Sequence, residues 1–135
     1  MKKQLSLLLM ALLVSLSACF NEYDEGYEIL GPVATIPVLT FSQAQPTAGS
    51  QITVNFRYYS ENIEVKELRL VQTLSNATTT VSTKPVSGFN RDNSYEDSFT
   101  YTVPSVSAGT VINLGVEVVT TNDLTNARRA NITVR

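Results

Sequence analysis

Residues 51–59 alternate strictly between apolar and polar side chains. The apolar positions are Ile52, Val54, Phe56 and Tyr58, and the polar positions are Gln51, Thr53, Asn55 and Arg57. Side chains repeat every two residues in a β-strand and every 3.6 residues in an α-helix. The pattern therefore predicts a strand with one buried face and one solvent face. Beyond residue 32, no stretch of the chain shows a helical period.

Six further segments are also rich in Thr, Val and Ile, residue types that favour strands. They are 35–42, 65–74, 78–84, 95–103, 110–120 and 128–134. Pro37 indicates an edge position for the first of them, because proline cannot donate to a strand ladder. The side chains predicted to share a buried face are Leu68, Leu70 and Leu74, then Tyr95, Phe99, Tyr101 and Val103, and then Ile112, Leu114, Val116 and Val118. Seven short strands at this spacing predict an all-β, antiparallel sandwich over residues 33–135.

A short sequence motif that occurs twice supports this prediction. The pattern Ala-Gly-[Ser/Thr]-x-Ile-x-[Val/Leu] occurs at 48–54 and again at 108–114. We expect each glycine to make a turn and each isoleucine to be the first inward residue of a central strand. The domain thus resembles bacterial immunoglobulin-like or fibronectin type III-like modules across about 100 residues, although it lacks the paired cysteines and the tryptophan of antibody-type domains.

The first 18 residues have the three parts of a secretory signal peptide. Lys2 and Lys3 form the positive region, residues 5–16 form the apolar region, and small residues follow. The apolar run has 12 residues, whereas a spanning helix needs roughly 20. A retained membrane helix is the alternative interpretation.

Leu16-Ser17-Ala18-Cys19 resembles a lipobox, the cleavage site of type II signal peptidase in bacterial lipoproteins. The resemblance implies cleavage before Cys19 and a covalent lipid on that residue, with no other cofactor. It also implies anchoring in the outer membrane, at the cell surface or on the periplasmic face. The alternative, an ordinary leader, would leave Cys19 as a free thiol, which is a liability in an exported protein.

Residues 19–32 then form the lipidated N-terminus and an acidic tether. Residues 20–32 contain four acidic side chains and no basic one, and clustered like charge resists compaction. The acidic stretch loosely resembles the export signal of surface-exposed lipoproteins, and a solvated linker is the equal alternative.

Composition excludes several classes of function. The chain that starts at Cys19 has 117 residues, eight basic and twelve acidic side chains, and a net charge of −4, so nucleic acid is not expected as a partner. It has no His and no second Cys, which excludes Ser-His and Cys-His catalysis and the usual zinc sites. We therefore expect no enzymatic activity and no metal.

The remaining candidate sites are weak. The acidic and amide residues of 90–97 and the pair Asn122-Asp123 could supply oxygen ligands to Ca²⁺, but such runs are also ordinary turn chemistry. Glu61, Glu64 and Glu67 are more typical of a solvated face than of paired catalytic carboxylates. Of Tyr58 and Tyr59, one must face the core and the other solvent. The glycosylation sequons at 76–78 and 131–133 are discounted, because a bacterial lipoprotein would not normally use them.

The predicted function is a membrane-anchored binding or structural module, whose surface partner is a protein or a carbohydrate. The sequence leaves the ligand and the oligomeric state open. The alternative function is an accessory subunit of an outer-membrane nutrient-uptake or secretion complex.

Strand alternation predicts that the turns at 44–50, 75–77 and 104–109 share one end with the C-terminus. The turns at 60–64, 85–94 and 121–127 would share the other end with the start of the first strand.

Overall fold

The computed structural model describes residues 33–135, and every regular element within them is a β-strand. The strands are β1 (Thr35–Phe41), β2 (Gln51–Tyr59), β3 (Val65–Leu74), β4 (Ala77–Pro85), β5 (Ser94–Thr102), β6 (Val111–Thr120) and β7 (Thr125–Thr133). The seven predicted strands are therefore confirmed. Their bounds agree to within one residue except at the start of β7, which was predicted at 128 and lies at Thr125.

The strands form two antiparallel sheets, which confirms the predicted sandwich. One sheet has three strands in the order β1-β2-β5, and the other has four in the order β4-β3-β6-β7. The first strand lies at an edge, as Pro37 indicated. The ladder between β1 and β2 shifts register between Thr35 and Val38, which brackets that proline.

The core lies between the two sheets and consists of the side chains that the period of two assigned inward. The predicted inward residues of β2 and β6 are all buried: Ile52, Val54, Phe56 and Tyr58, and Ile112, Leu114, Val116 and Val118. Leu68, Leu70, Phe99, Tyr101 and Val103 are also buried. Leu74 and Tyr95 are only partly buried and pack against the rim of the core.

Strand β3 departs from a simple alternation. Val65 and Val71 are buried although the sequence pattern did not place them inside. A register shift between Val65 and Glu67 turns Val65 toward the core, because the extra residue on β3, Lys66, changes the face that the preceding side chain occupies. At Val71 the alternation continues, since the shift between Leu70 and Val71 has its extra residue on β4. Val71 pairs with Gly115, whereas its neighbour Leu70 pairs with the core residue Val116, so Val71 lies on the outer face of the sheet.

The two copies of the repeated motif, at 48–54 and 108–114, form equivalent turns. Gly49 and Gly109 have φ values of 77° and 86°, and the amide of the residue after each donates to the carbonyl three residues earlier, at 3.1 Å in both turns. The following side chain makes the same bond twice: the Ser50 hydroxyl donates to the Thr47 carbonyl and the Thr110 hydroxyl to the Ser107 carbonyl. The positive φ at the third position is the requirement of a type II turn, which glycine meets without strain.

Backbone hydrogen bonds confirm the predicted grouping for two turns at each end. At one end the Gly49 amide donates to Val103 and the Gly109 amide to Val134, which joins two turns to neighbouring strands and to the C-terminus. At the other end the Thr121 amide donates to the Glu64 carbonyl, which joins the turn after β6 to the turn before β3.

Polar side chains close the two open sides of the sandwich. On one side, Asn126 of β7 donates to the carbonyl of Ala34, just before β1, and Arg128 donates to the carbonyls of Ile36 and Pro37 in β1. On the other side, the Lys84 ammonium of β4 donates to the Asp97 carboxylate at 2.8 Å and to the Ser98 carbonyl of β5. These contacts occupy backbone acceptors on edge strands that would otherwise be free to pair with another chain.

Candidate functional site

Cys19, the predicted lipid acceptor, lies outside the described residues, as do the predicted signal peptide and the acidic tether. Within residues 33–135 the structure contains no helix that could cross a membrane. The lipidation of Cys19 therefore stays a prediction from the sequence.

The 90–97 segment is organised as a turn. The Asn90 side-chain oxygen accepts the Asp92 amide at 2.9 Å, and the Asn90 carbonyl accepts the Asn93 amide at 3.2 Å. The phenolic oxygen of Tyr95 accepts the Asn90 amide at 2.7 Å, which holds the start of the turn against β5. The oxygens of Asn90 thus serve the local backbone, as turn-forming asparagines commonly do.

Asp123 lies in the turn after β6 with φ of 65°, and its carboxylate forms an ion pair with the Lys66 ammonium. The hydrogen bond from Lys66 and the charge of that lysine lower the pKa of Asp123. The pair joins this turn to the start of β3. In the part of the chain that the structure describes, no group of three or more His, Cys, Asp or Glu side chains is placed to hold a metal ion.

The three glutamates near the start of β3 do not act as one group. Glu67 and Glu117 both bind the Arg69 guanidinium, which lies between them on the outer face of the four-stranded sheet. Hydrogen bonding to Glu67 raises the pKa of Arg69, so the arginine keeps its charge. Glu61 and Glu64 are exposed in the turn between β2 and β3.

Tyr58 faces the core and Tyr59 is half-buried on the opposite face, as predicted. Burial raises the pKa of Tyr58 to about 12, and the nearby Asp97 carboxylate and Tyr95 add to the effect. The Tyr58 ring stacks on Tyr95 and on Phe89, with ring centroids 5.5 and 6.2 Å apart. These rings anchor the loop between β4 and β5, a structural role that explains them without a ligand.

Both sequon asparagines have local structural roles. Ser75 and Asn76 have φ values of 50° and 65°, the backbone of a two-residue type I′ hairpin turn between β3 and β4. The Asn131 side-chain oxygen accepts a hydrogen bond from the side-chain amide of Asn113, at 2.9 Å, between β7 and β6.

A depression on the outer face of the three-stranded sheet is the candidate binding site, which we call the outer-face depression. It has a volume of about 430 Å³ and is lined by Val38, Thr40, Asn55, Phe56, Arg57, Glu96, Asp97 and Ser98. The ladders align its outward side chains in two rows across all three strands. Val38, Arg57 and Glu96 form one row, and Thr40, Asn55 and Ser98 form the next.

The rows differ in chemistry. In the first, the Arg57 guanidinium binds one oxygen of the Glu96 carboxylate, with Nε donating to Oε1 at 3.1 Å, and Val38 is 38% exposed. In the second, the side chains of Thr40, Asn55 and Ser98 take part in no hydrogen bond among the described residues. A net-neutral surface of free hydroxyl and amide groups beside one ion pair is suited to binding an uncharged polar ligand.

The residue pattern along the chain does not reveal this site. The outward parity of Thr53, Asn55 and Arg57 was visible in β2, but the residues of β1 and β5 that lie beside them depend on strand register. The signal that could have found it is the set of polar outward positions on three strands, once the strand order was known.

No protein-family model matches the chain, and no curated protein matches it. Solved structures share the fold alone. The sporulation control protein Spo0M from Bacillus subtilis is 11% identical with a TM-score of 0.53, and the match covers 78% of this chain and 50% of that one. A Niemann-Pick type C2 protein from the Japanese carpenter ant is 13% identical with a TM-score of 0.56, over 78% of this chain and 96% of that one.

A third match is the β-glucosidase EmGH1 from Erythrobacter marinus, 13% identical with a TM-score of 0.56. That match covers 76% of this chain and 15% of the glucosidase. The chain thus spans half or less of the length of the Spo0M and glucosidase chains. At 11–13% identity, the likeness to these three proteins extends to the β-sandwich fold and no further.

Proposed function

We propose that this chain is a bacterial lipoprotein, held in the outer membrane by lipid on Cys19, whose β-sandwich is a non-catalytic binding module. The observation that carries the proposal is the four-residue lipobox at 16–19, which directly follows a complete positive and apolar leader. Stable anchoring takes two membrane signals, and two or three acyl chains on one cysteine meet that requirement.

The distribution of charge supports a tethered domain. The eight basic side chains of the chain after Cys19 all lie within 33–135, together with eight of its twelve acidic ones. The sandwich is therefore neutral overall, and the net charge of −4 comes from the four acidic residues of 20–32. A neutral domain lets a module work beside a charged membrane surface without strong attraction or repulsion.

The outer-face depression supports a binding role. It lies on the face of a sheet, away from the turns at either end of the sandwich. A tether of about 13 residues reaches roughly 40 Å when extended, which is enough to leave a sheet face accessible from outside the membrane. A non-catalytic role is consistent with a chain that has no His and whose only Cys is the proposed lipid acceptor.

The test is metabolic labelling with radioactive palmitate in a bacterial host, followed by detergent phase partition. We expect the wild-type protein to carry the label and to enter the detergent phase, and Cys19→Ser to lose both properties. Ser15→Ala, which leaves the four-residue motif intact, is the matched control and should behave as wild type. Labelling retained in Cys19→Ser would refute the proposal.

A further inference from the structure

We infer that the outer-face depression binds a neutral saccharide. The inference rests on the proposed binding role of the sandwich and names the class of its ligand. It depends on the size of the depression, its balance of charge, and the hydrogen-bonding capacity of the side chains that line it.

The dimensions fit a small sugar. The volume of about 430 Å³ lies within the range of small-molecule sites, which is about 300–1,000 Å³. Neighbouring strands lie about 4.8 Å apart, and outward side chains on one strand are about 7 Å apart. Two rows across three strands therefore present a footprint of roughly 10 by 7 Å, which suits a mono- or disaccharide.

The charges favour a ligand without net charge. Arg57 and Glu96 are the charged side chains in the two outward rows, and they neutralise each other in an ion pair. An anionic ligand on the remaining Arg57 donors would lie beside the negative Glu96 carboxylate, and a cationic ligand on Glu96 would lie beside the positive Arg57 guanidinium, so the pair disfavours both. A neutral ligand can use the second oxygen of Glu96 and the remaining guanidinium donors while the pair stays intact.

The free polar groups match sugar hydroxyls. A sugar hydroxyl both donates and accepts a hydrogen bond, and so do the hydroxyls of Thr40 and Ser98 and the amide of Asn55. A carboxylate beside an amide can bind two adjacent hydroxyls of one ring. Val38 lies at the end of the first row and is 38% exposed, so it offers an apolar contact for the C–H face of the ring.

Other ligand classes fit less well. An extended peptide binds a sheet by pairing with an edge strand. On the edge strand β1, Pro37 has no backbone N–H to donate, and Arg128 already binds the carbonyls of Ile36 and Pro37. A lipid or aromatic ligand needs an apolar groove, whereas five of the six side chains in the two outward rows are polar or charged.

The test uses the full-length protein in a detergent without a sugar headgroup, because glucoside and maltoside detergents would compete for the site. An array of neutral oligosaccharides, acidic oligosaccharides and unstructured peptides identifies the class, and titration calorimetry gives the Kd of the best neutral binder. We expect binding to neutral saccharides that weakens by about tenfold or more in Asn55→Ala and in Glu96→Gln, since each loses hydrogen bonds to the ligand.

Thr102→Ala is the matched control, because Thr102 is exposed on β5 and pairs with Gln51, away from both rows of the depression. It should bind as wild type, and circular dichroism should show unchanged melting for all three variants. Absence of binding to neutral saccharides, preference for another class, or equal binding by Asn55→Ala and Glu96→Gln would each overturn the inference. Palmitate labelling of Cys19 is measured separately, so a labelled protein that binds no saccharide would refute the ligand class and leave the anchor standing.

Discussion

Replacing Gly115 by alanine tests how closely β6 and β7 pack. Gly115 lies in the middle of β6, opposite Arg129 on β7. A Cβ atom added there would lie 2.4 Å from the Arg128 carbonyl oxygen, 2.4 Å from the Arg129 Cγ and 2.9 Å from the Arg129 Cα. Two of these three atoms belong to the backbone of β7, so the clash cannot be relieved by a side-chain rotation alone.

The sign of the stability change shows whether β6 and β7 pack too closely at Gly115 to admit a side chain. Where the backbone conformation permits it and space is free, Gly→Ala stabilises a protein by about 0.4–1 kcal/mol because the unfolded chain loses freedom. Overpacking in a closely packed site costs about 1–3 kcal/mol, and a contact with backbone falls at the upper end of that range. We therefore expect Gly115→Ala to lower the free energy of unfolding by about 2 kcal/mol, which lowers Tm by roughly 10 °C for a domain of this size.

Urea unfolding followed by circular dichroism measures the effect. Arg129→Ala is the control, because it removes the Arg129 Cγ contact, together with a hydrogen bond to Thr73, and leaves the two backbone contacts in place. The double variant Gly115→Ala, Arg129→Ala should remain less stable than Arg129→Ala alone, because the clash with the Arg128 carbonyl persists. If Gly115→Ala were as stable as wild type, or more stable, the close approach of the two strands would be wrong.

Three further perturbations test the core, the buried tyrosine and the loops. Phe56→Ala should cost roughly 3–5 kcal/mol of unfolding free energy, because the ring is 2% exposed and stacks 5.6 Å from Phe99. Thr53→Ala, outward on the same strand, should cost less than about 1 kcal/mol. Equal losses in urea unfolding would mean that the register of β2 is wrong. The pKa of Tyr58 is about 12 in the folded protein and about 10 when unfolded, so the stability present below pH 10 should fall by roughly 2 kcal/mol as the pH rises to 12. Tyr58→Phe should lose that part of the pH dependence, and an unchanged dependence would assign it to other groups. EDTA should leave Tm unchanged, and a fall of several degrees that Ca²⁺ restores would make the 90–97 turn a metal site.

The fold could be predicted where burial alone determines the residue pattern. Strands β2 and β6 lie in the middle of their sheets, so one face of each must be apolar, and the period of two is unbroken from Ile52 to Tyr58 and from Ile112 to Val118. Strand β7 was predicted to start three residues too late because Asn126 and Arg128 occupy its first inward positions. They bind carbonyls of β1 at the open side of the sandwich, and such edge positions need no apolar side chain.

The candidate site could not be predicted for a related reason. Alternation shows that Asn55 and Arg57 point outward, but it does not show that Thr40 and Ser98 lie beside Asn55. That alignment depends on how β1 and β5 pair with β2, and a slip of one residue would replace each neighbour by an inward one. The register shift near Pro37 adds an offset that no periodicity reveals.

Intact mass spectrometry of the protein purified from membranes tests the central claim most directly. The account predicts a chain of 117 residues that begins at Cys19 and carries the added mass of a diacylglyceryl group and an N-terminal acyl chain. The N-terminal peptide should hold all of that added mass. A chain that begins at another residue, or a Cys19 with an unmodified thiol, would contradict the account.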